Sequence, residues 1–278
     1  MARGPSAPSN PVDRAHAPIV RALRWLRDRV HGLYTALGLF LTITLVLAFG
    51  AVWVFAELAS GVMAGATLRF DDAILEWLHR HATSGWDQVA LQITDVGNGT
   101  SVAVITLVVS AFLWAFRQRG AVLLVIMAVV GADLGQTVLK LVFQRPRPEL
   151  FVIQTPYARP VSTSFPSGHA TGAIALYLVL AYLLDRLGGT RPFRWIINLI
   201  AALLILGIGV SRVYLGVHYP SDVVAGYLIG FAWVTLCVFG IESVGIIRKR
   251  SRRTEDQVKP AVPGGEDLAG PPPRSAAR

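Results

Sequence analysis

Six apolar runs, separated by short polar segments, divide the chain near residues 33–56, 89–116, 120–143, 169–185, 194–212 and 222–246. A helix needs about 20 consecutive apolar residues to cross a hydrocarbon core of roughly 30 Å, so each run is read as a membrane-spanning helix. The first, LYTALGLFLTITLVLAFGAVWVFA, carries no charge. It is longer than a signal-peptide core and no small-residue cleavage motif follows it, so it is expected to remain as an anchor. The second run is interrupted by Asp95 and Gly97-Asn98-Gly99, and the fourth is short.

Other stretches carry a helical period without the length to span. Residues 19–32, IVRALRWLRDRVHG, alternate apolar and arginine positions and predict a basic amphipathic helix on the inner membrane surface. In RFDDAILEWLHRHA, residues 69–82, the spacing of Phe70, Ile74, Trp77 and Leu78 predicts an interfacial helix on the opposite side. Its Asp71, Asp72, His79 and His81 match no closed metal-ligand spacing and are expected to form a solvated face. Residues 1–18 and the basic 248–278, rich in Pro, Gly, Ala and Ser, are expected to be disordered tails around a membrane domain over 33–247. The predicted fold class is all-α: an integral-membrane bundle of six transmembrane helices with both termini cytoplasmic.

That orientation comes from the charges. With the N-terminus inside, the inner segments hold 19 Lys and Arg and the outer segments 7, as positive-inside placement requires. The chain is 53% hydrophobic and only 15% charged, against about 25% in soluble domains. The net charge of +9 is thus a topology signal and a lipid-headgroup contact, and with no recognition motif beside it a nucleic-acid partner is excluded. One cysteine, Cys237, rules out an internal disulfide. Arginine outnumbers lysine 23 to 3, which points to a GC-rich bacterial genome and hence a plasma-membrane location.

On this topology the outer polar groups collect at helix ends in three places. KLVFQRPRP, 140–148, closes the third span, where Pro146 and Pro148 stop the helix. Its Lys140, Arg145 and Arg147 fit either snorkelling anchors or an anion site. FPSGHA, 165–170, opens the fourth span: Ser167 is a natural N-cap, Gly168 admits close approach, and the first-turn N–H groups favour an anion beside His169. SRVYLGVHYPSD, 211–222, ends the fifth span with Arg212 and starts the sixth with His218, Pro220 and Asp222. Asp222 follows His218 by four residues, so it can bind one ring nitrogen and leave the other free as a nucleophile, or simply cap its helix, or do both. Three cations and a helix N-terminus between two histidines suit a phosphate, which uses several donors at once.

These motifs resemble the type 2 phosphatidic acid phosphatase superfamily, the lipid phosphate phosphatases, whose pattern is K-x6-R-P, P-S-G-H and S-R-x5-H-x3-D. The matching residues are Lys140 to Arg147-Pro148, Pro166 to His169, and Ser211-Arg212 to His218 and Asp222. The resemblance implies that His218 attacks phosphorus and becomes a phosphohistidine, that Asp222 orients His218, and that His169 protonates the leaving oxygen and then activates water. It implies that Lys140, Arg147, Ser167, Gly168 and Arg212 hold the phosphoryl oxygens on the extracytoplasmic side, with no metal or cofactor. Ser211 is given a supporting role, and Arg145, outside the strict pattern, is a candidate phosphate or headgroup contact. Candidate substrates are phosphatidic acid, phosphatidylglycerol phosphate and a polyprenyl diphosphate such as undecaprenyl diphosphate, entering from the bilayer past the loop from Glu149 to Phe165. A phosphotransferase with a lipid or sugar acceptor and a non-catalytic phospholipid transporter are the competing readings; the six spans argue against the superfamily's soluble vanadate haloperoxidases.

Asp133 and Gln136 interrupt the third span, and an interhelical hydrogen bond is expected for Asp133. Asn98-Gly99-Thr100 fits a glycosylation triplet, which a membrane-edge position disfavours.

Overall fold

The computed structural model describes residues 38–149, 163–186 and 188–258, with side chains to residue 246. The amphipathic stretch 19–32, the N-terminal tail and most of the 149–165 loop lie outside the described residues. The chain divides into two compact units, Met1–Ile241 and Glu242–Arg278, and every candidate site residue belongs to the first.

Among the described residues there are helices and no strands. Five are long and apolar enough to span a membrane: α1 (Gly38–Met63), α5 (Arg119–Phe143), α6 (Gly168–Arg186), α7 (Arg191–Tyr214) and α8, whose apolar part is Pro220–Ile246. The pair α3 (Ser84–Val96) and α4 (Gly99–Ala115), bent by 45° at its break, makes a sixth when it is counted as one span. Between α1 and α3 lies the short α2 (Leu68–Arg80). Five of the six expected spans are single helices and the bent pair stands in the place of the second, with α1 reaching seven residues further than the apolar run that ends at 56.

The break in the second span has a local cause. A Cβ on Gly97 would sit 2.4 Å from Cγ2 of Ile208, so only glycine lets the chain pass α7 there. Asn98 then caps α4, its Oδ1 accepting from the Ser101 N–H at 2.7 Å. The Val96 carbonyl, left over at the end of α3, accepts from the Tyr177 hydroxyl of α6 at 2.9 Å, since an unpaired carbonyl at membrane depth is costly.

The bundle presents large apolar side chains outward, among them Phe49, Trp53, Leu107, Phe112 and Leu199. This is the surface a helix bundle offers to lipid. Inside, small residues set the close approaches. Gly226 and Gly230 on α8 face the backbone of α6: added Cβ atoms would meet the Ser167 carbonyl at 2.7 Å and the Thr171 carbonyl at 3.0 Å. This small-xxx-small stripe draws the start of α6 onto the start of α8.

Helix α2 confirms amphipathicity on a different face from the expected one. The packed positions are Asp71, Leu75 and, partly, Ile74 and Leu78, while Phe70 and Trp77 point outward. Asp71 is fully buried, which corrects its assignment to a solvated face; positions 71, 75 and 78 recur at i, i+4 and i+7 and share one side of the helix. At the other end, helix α8 runs on to Val258, into the stretch read as a disordered tail. Residues 247–258, IRKRSRRTEDQV, contain neither Pro nor Gly to break it.

Candidate active site

The three motifs meet at one end of the bundle because each ends or begins a helix there. Helix α5 stops at Gln144, which takes a left-handed conformation with φ 44° and returns its N–H to the Lys140 carbonyl at 3.1 Å. Pro146 and Pro148 then keep the chain extended. Helix α7 ends in a Schellman motif: the Gly216 N–H binds the Val213 carbonyl at 2.9 Å and the Val217 N–H binds the Arg212 carbonyl at 3.2 Å. Gly216, at φ 68°, supplies the left-handed turn that lets His218 fold back beside Arg212. Helix α8 begins at Pro220, with Asp222 in its first turn.

His218 is 2% exposed. Its Nδ1 lies 3.4 Å from Oδ2 of Asp222, and the Ser164 backbone also hydrogen-bonds the imidazole. Its Nε2 lies 3.3 Å from Nη1 of Arg147, which also donates to the Val217 carbonyl at 2.7 Å. Burial, then the charges of Arg147, Arg212 and Lys140, hold the His218 pKa well below the ordinary imidazole value, so the ring is neutral near pH 7. With the proton on Nδ1, the lone pair of Nε2 faces the cations.

His169 stands in the field of Arg212, His218, Lys140 and Arg147, so all five groups share one site. Arg212 is buried and donates from Nη1 to Thr94 Oγ1 at 2.8 Å. Ser167 caps α6, its side chain accepting from the Ala170 N–H at 3.5 Å. Its own N–H binds the Asp222 carbonyl at 3.0 Å and so ties the second motif to the third. Gly168 packs against Gln136, whose Oε1 would lie 3.1 Å from an added Cβ. Phe165, fully buried against Phe55 and Phe143, pins the segment before this turn. The arrangement brings together every site residue named from the sequence: Lys140, Arg147, Ser167, Gly168, His169, Arg212, His218 and Asp222.

Three expectations need correction or refinement. Arg145 faces neither solvent nor the cation pocket: it is 7% exposed and pairs with Asp222 at 2.6 Å and Asp71 at 2.9 Å, because two buried carboxylates demand a cation between them. Among the described residues Asp133 makes no interhelical bond; exposed on α5, its Oδ1 accepts from Gln136 Nε2 at 3.1 Å on the same helix. Ser211 spends its hydroxyl on the Ile208 carbonyl at 2.7 Å within α7. Sequence reasoning did not find Thr94, Ser221 or the buried role of Asp71. The helical phase of Asp71 with Leu75 and Leu78 was the signal available for the last.

Comparison with known proteins gives the family. The PAP2 superfamily pattern matches residues 119–242. An undecaprenyl-diphosphatase of Sulfolobus acidocaldarius is 39% identical over 150 residues, 51% of this chain and 65% of that protein, just under two thirds of its length. The phosphatidylglycerophosphatase B of Bacillus subtilis is 31% identical over 178 residues, 63% of this chain and 85% of that protein. A crystal structure of the transmembrane PAP2-type phosphatidylglycerolphosphate phosphatase from Bacillus subtilis superposes with a TM-score of 0.62 at 25% identity, covering 76% of this chain and 97% of that one. With its motifs complete, its helices matched and its relatives phosphatases of membrane lipids, the chain belongs to the PAP2 superfamily.

Proposed function

We propose that this protein is an integral-membrane phosphatase that hydrolyses a lipid phosphate or diphosphate through a phosphohistidine on His218, without a metal, on the extracytoplasmic side of the plasma membrane. The observation that carries the reading is a buried imidazole with Nε2 turned toward Arg147 at 3.3 Å, among the cations Lys140 and Arg212 and beside the start of α6. The PAP2-family relatives include enzymes named for a polyprenyl diphosphate and for phosphatidylglycerophosphate. What the two substrates share is a terminal phosphoryl group carried on a lipid.

In the first step the Nε2 lone pair bonds to phosphorus and the bond to the leaving oxygen breaks, with His169 giving that oxygen a proton. Lys140, Arg147 and Arg212 offset the charge on the equatorial oxygens, together with the Ser167 hydroxyl and the first-turn N–H groups of Gly168 and His169. In the second step His169 takes a proton from water, the water oxygen bonds to phosphorus, and the bond to Nε2 breaks. Asp222 keeps Nδ1 protonated throughout. Three cations supply the neutralisation a metal would otherwise give, and they oppose a further cation in the same pocket. The excess of inner Lys and Arg, 19 to 7, supports the outward-facing site.

The test is phosphate release by the purified protein in detergent with EDTA, using phosphatidic acid, phosphatidylglycerol phosphate and undecaprenyl diphosphate, beside His218→Ala. Release by the wild type alone is expected. Equal background from both proteins across the panel would overturn the reading in favour of a transferase or transporter.

A further inference from the structure

Asp71 belongs to none of the three motifs, yet it is the hub of a closed hydrogen-bond ring behind the candidate nucleophile. Its Oδ1 accepts from the Ser221 N–H at 3.0 Å. Its Oδ2 accepts from the Ser221 hydroxyl at 2.6 Å and from Arg145 Nη2 at 2.9 Å. The other arm of Arg145, Nη1, donates to Asp222 Oδ1 at 2.6 Å and to Ser221 Oγ at 2.7 Å. The guanidinium also stacks on Tyr219, 4.0 Å from the ring centre. Asp71 and Asp222 are fully buried and Arg145 nearly so.

The ring fixes which oxygen of Asp222 faces the imidazole. Arg145 occupies Oδ1, leaving Oδ2 to the Tyr219 N–H at 2.9 Å and to Nδ1 of His218 at 3.4 Å. It also sets the charge available there. One guanidinium is shared by two carboxylates, so the group carries a net negative charge behind His218. Without the Asp71 charge, Arg145 would neutralise Asp222 alone and weaken its hold on Nδ1–H.

We propose that Asp71 is a positioning residue for phosphoryl transfer: by anchoring Arg145 it keeps Asp222 oriented and negative toward Nδ1 of His218, so that Nε2 stays free for attack. This rests on the reading of His218 as the nucleophile. It ties the chemistry to α2, the helix whose Phe70 and Trp77 are exposed.

The test uses the full chain in detergent, as wild type, Asp71→Asn, Ser221→Ala and His218→Ala, with the fastest of the three lipid substrates above. Asp71→Asn is expected to lower kcat by about 10- to 100-fold, the worth of one charge-assisted hydrogen bond. KM and inhibition by inorganic phosphate should stay within about threefold, because no phosphate contact is lost. Nitrogen-15 NMR of His218 should show a smaller share of the Nδ1–H tautomer. Ser221→Ala should move the same readouts in the same direction by less, and serves if Asp71→Asn does not fold. An unchanged kcat and tautomer in the folded variants, with only a lower Tm, would reduce Asp71 to a packing staple and overturn the proposal. Trapping the acid-quenched phosphoenzyme separates the two layers. No phosphohistidine in the wild type removes the nucleophile reading and this inference together; a normal wild-type phosphohistidine formed equally fast by Asp71→Asn removes only the inference.

Discussion

Gly226→Ala tests how the second motif is held against the third. The added Cβ would lie 2.7 Å from the Ser167 carbonyl oxygen, 3.0 Å from Ala170 Cβ and 3.0 Å from Thr171 Oγ1. Ordinary contact begins at 3.4 Å, so the carbonyl must retreat by about 0.7 Å, and it is backbone at the start of α6, with no rotamer to change. The same residue's N–H holds the Asp222 carbonyl at 3.0 Å, and that bond would open as α6 moves. Overpacking of this kind costs about 1–3 kcal/mol, against which alanine regains about 1 kcal/mol of helix propensity. The net loss of stability is therefore small. The loss of activity is larger, because misplacing catalytic groups by about 1 Å costs on the order of 100-fold in rate. We expect kcat to fall about 10- to 100-fold while Tm drops by only a few degrees. Gly240→Ala, on the same helix with nothing within 4 Å of the added Cβ, should leave kcat unchanged and raise Tm by a few degrees through the same gain in helix propensity. The assay is lipid-phosphate hydrolysis in detergent beside a thermal melt. A Gly226→Ala protein with kcat within about threefold of wild type would refute the reasoning that the α6–α8 approach sets the catalytic geometry.

Two further outcomes are expected. Arg147→Lys keeps the charge but loses the rigid guanidinium whose Nη1 reaches both the Val217 carbonyl and His218 Nε2; kcat/KM should fall about 10- to 100-fold, read by steady-state kinetics, and near-wild-type kinetics would show that only the charge matters. His218 has a folded pKa well below its ordinary value, from burial and then Arg147, Arg212 and Lys140, so the unfolded chain binds the extra proton below about pH 6.5 and stability falls as pH drops through that value. Melts at pH 7 and pH 5 should show a larger Tm loss for wild type than for His218→Gln, and equal losses would contradict a neutral buried imidazole.

Much of this protein is legible along the chain. Lipid is a uniform solvent, so a run of apolar residues reports its own span without reference to a partner, and the five single spans and the bent pair α3–α4 were legible from hydropathy alone. The helix ends were legible too, because Pro146, Pro148, Gly216 and Pro220 act locally on the backbone. The motif spacing then placed Lys140, Arg147, Ser167, Gly168, His169, Arg212, His218 and Asp222 at those ends. What the order of residues does not contain is which buried polar group meets which. Asp71 and Ser221 are 150 residues apart, and Asp71 reads as one more acid on an amphipathic surface helix until α2 packs against Val213 and Val223. Arg145 and Arg147 are alike in sequence, two arginines alternating with two prolines. Only the packing sends one to a pair of buried carboxylates and the other to the imidazole. Asp133 is the reverse case: an acid inside a span promised an interhelical partner, and its own helix supplied one in Gln136. Hydropathy and backbone chemistry are properties of neighbours in sequence, whereas the partner of a buried charge is fixed by the burial itself, and burial exists only once the bundle has closed.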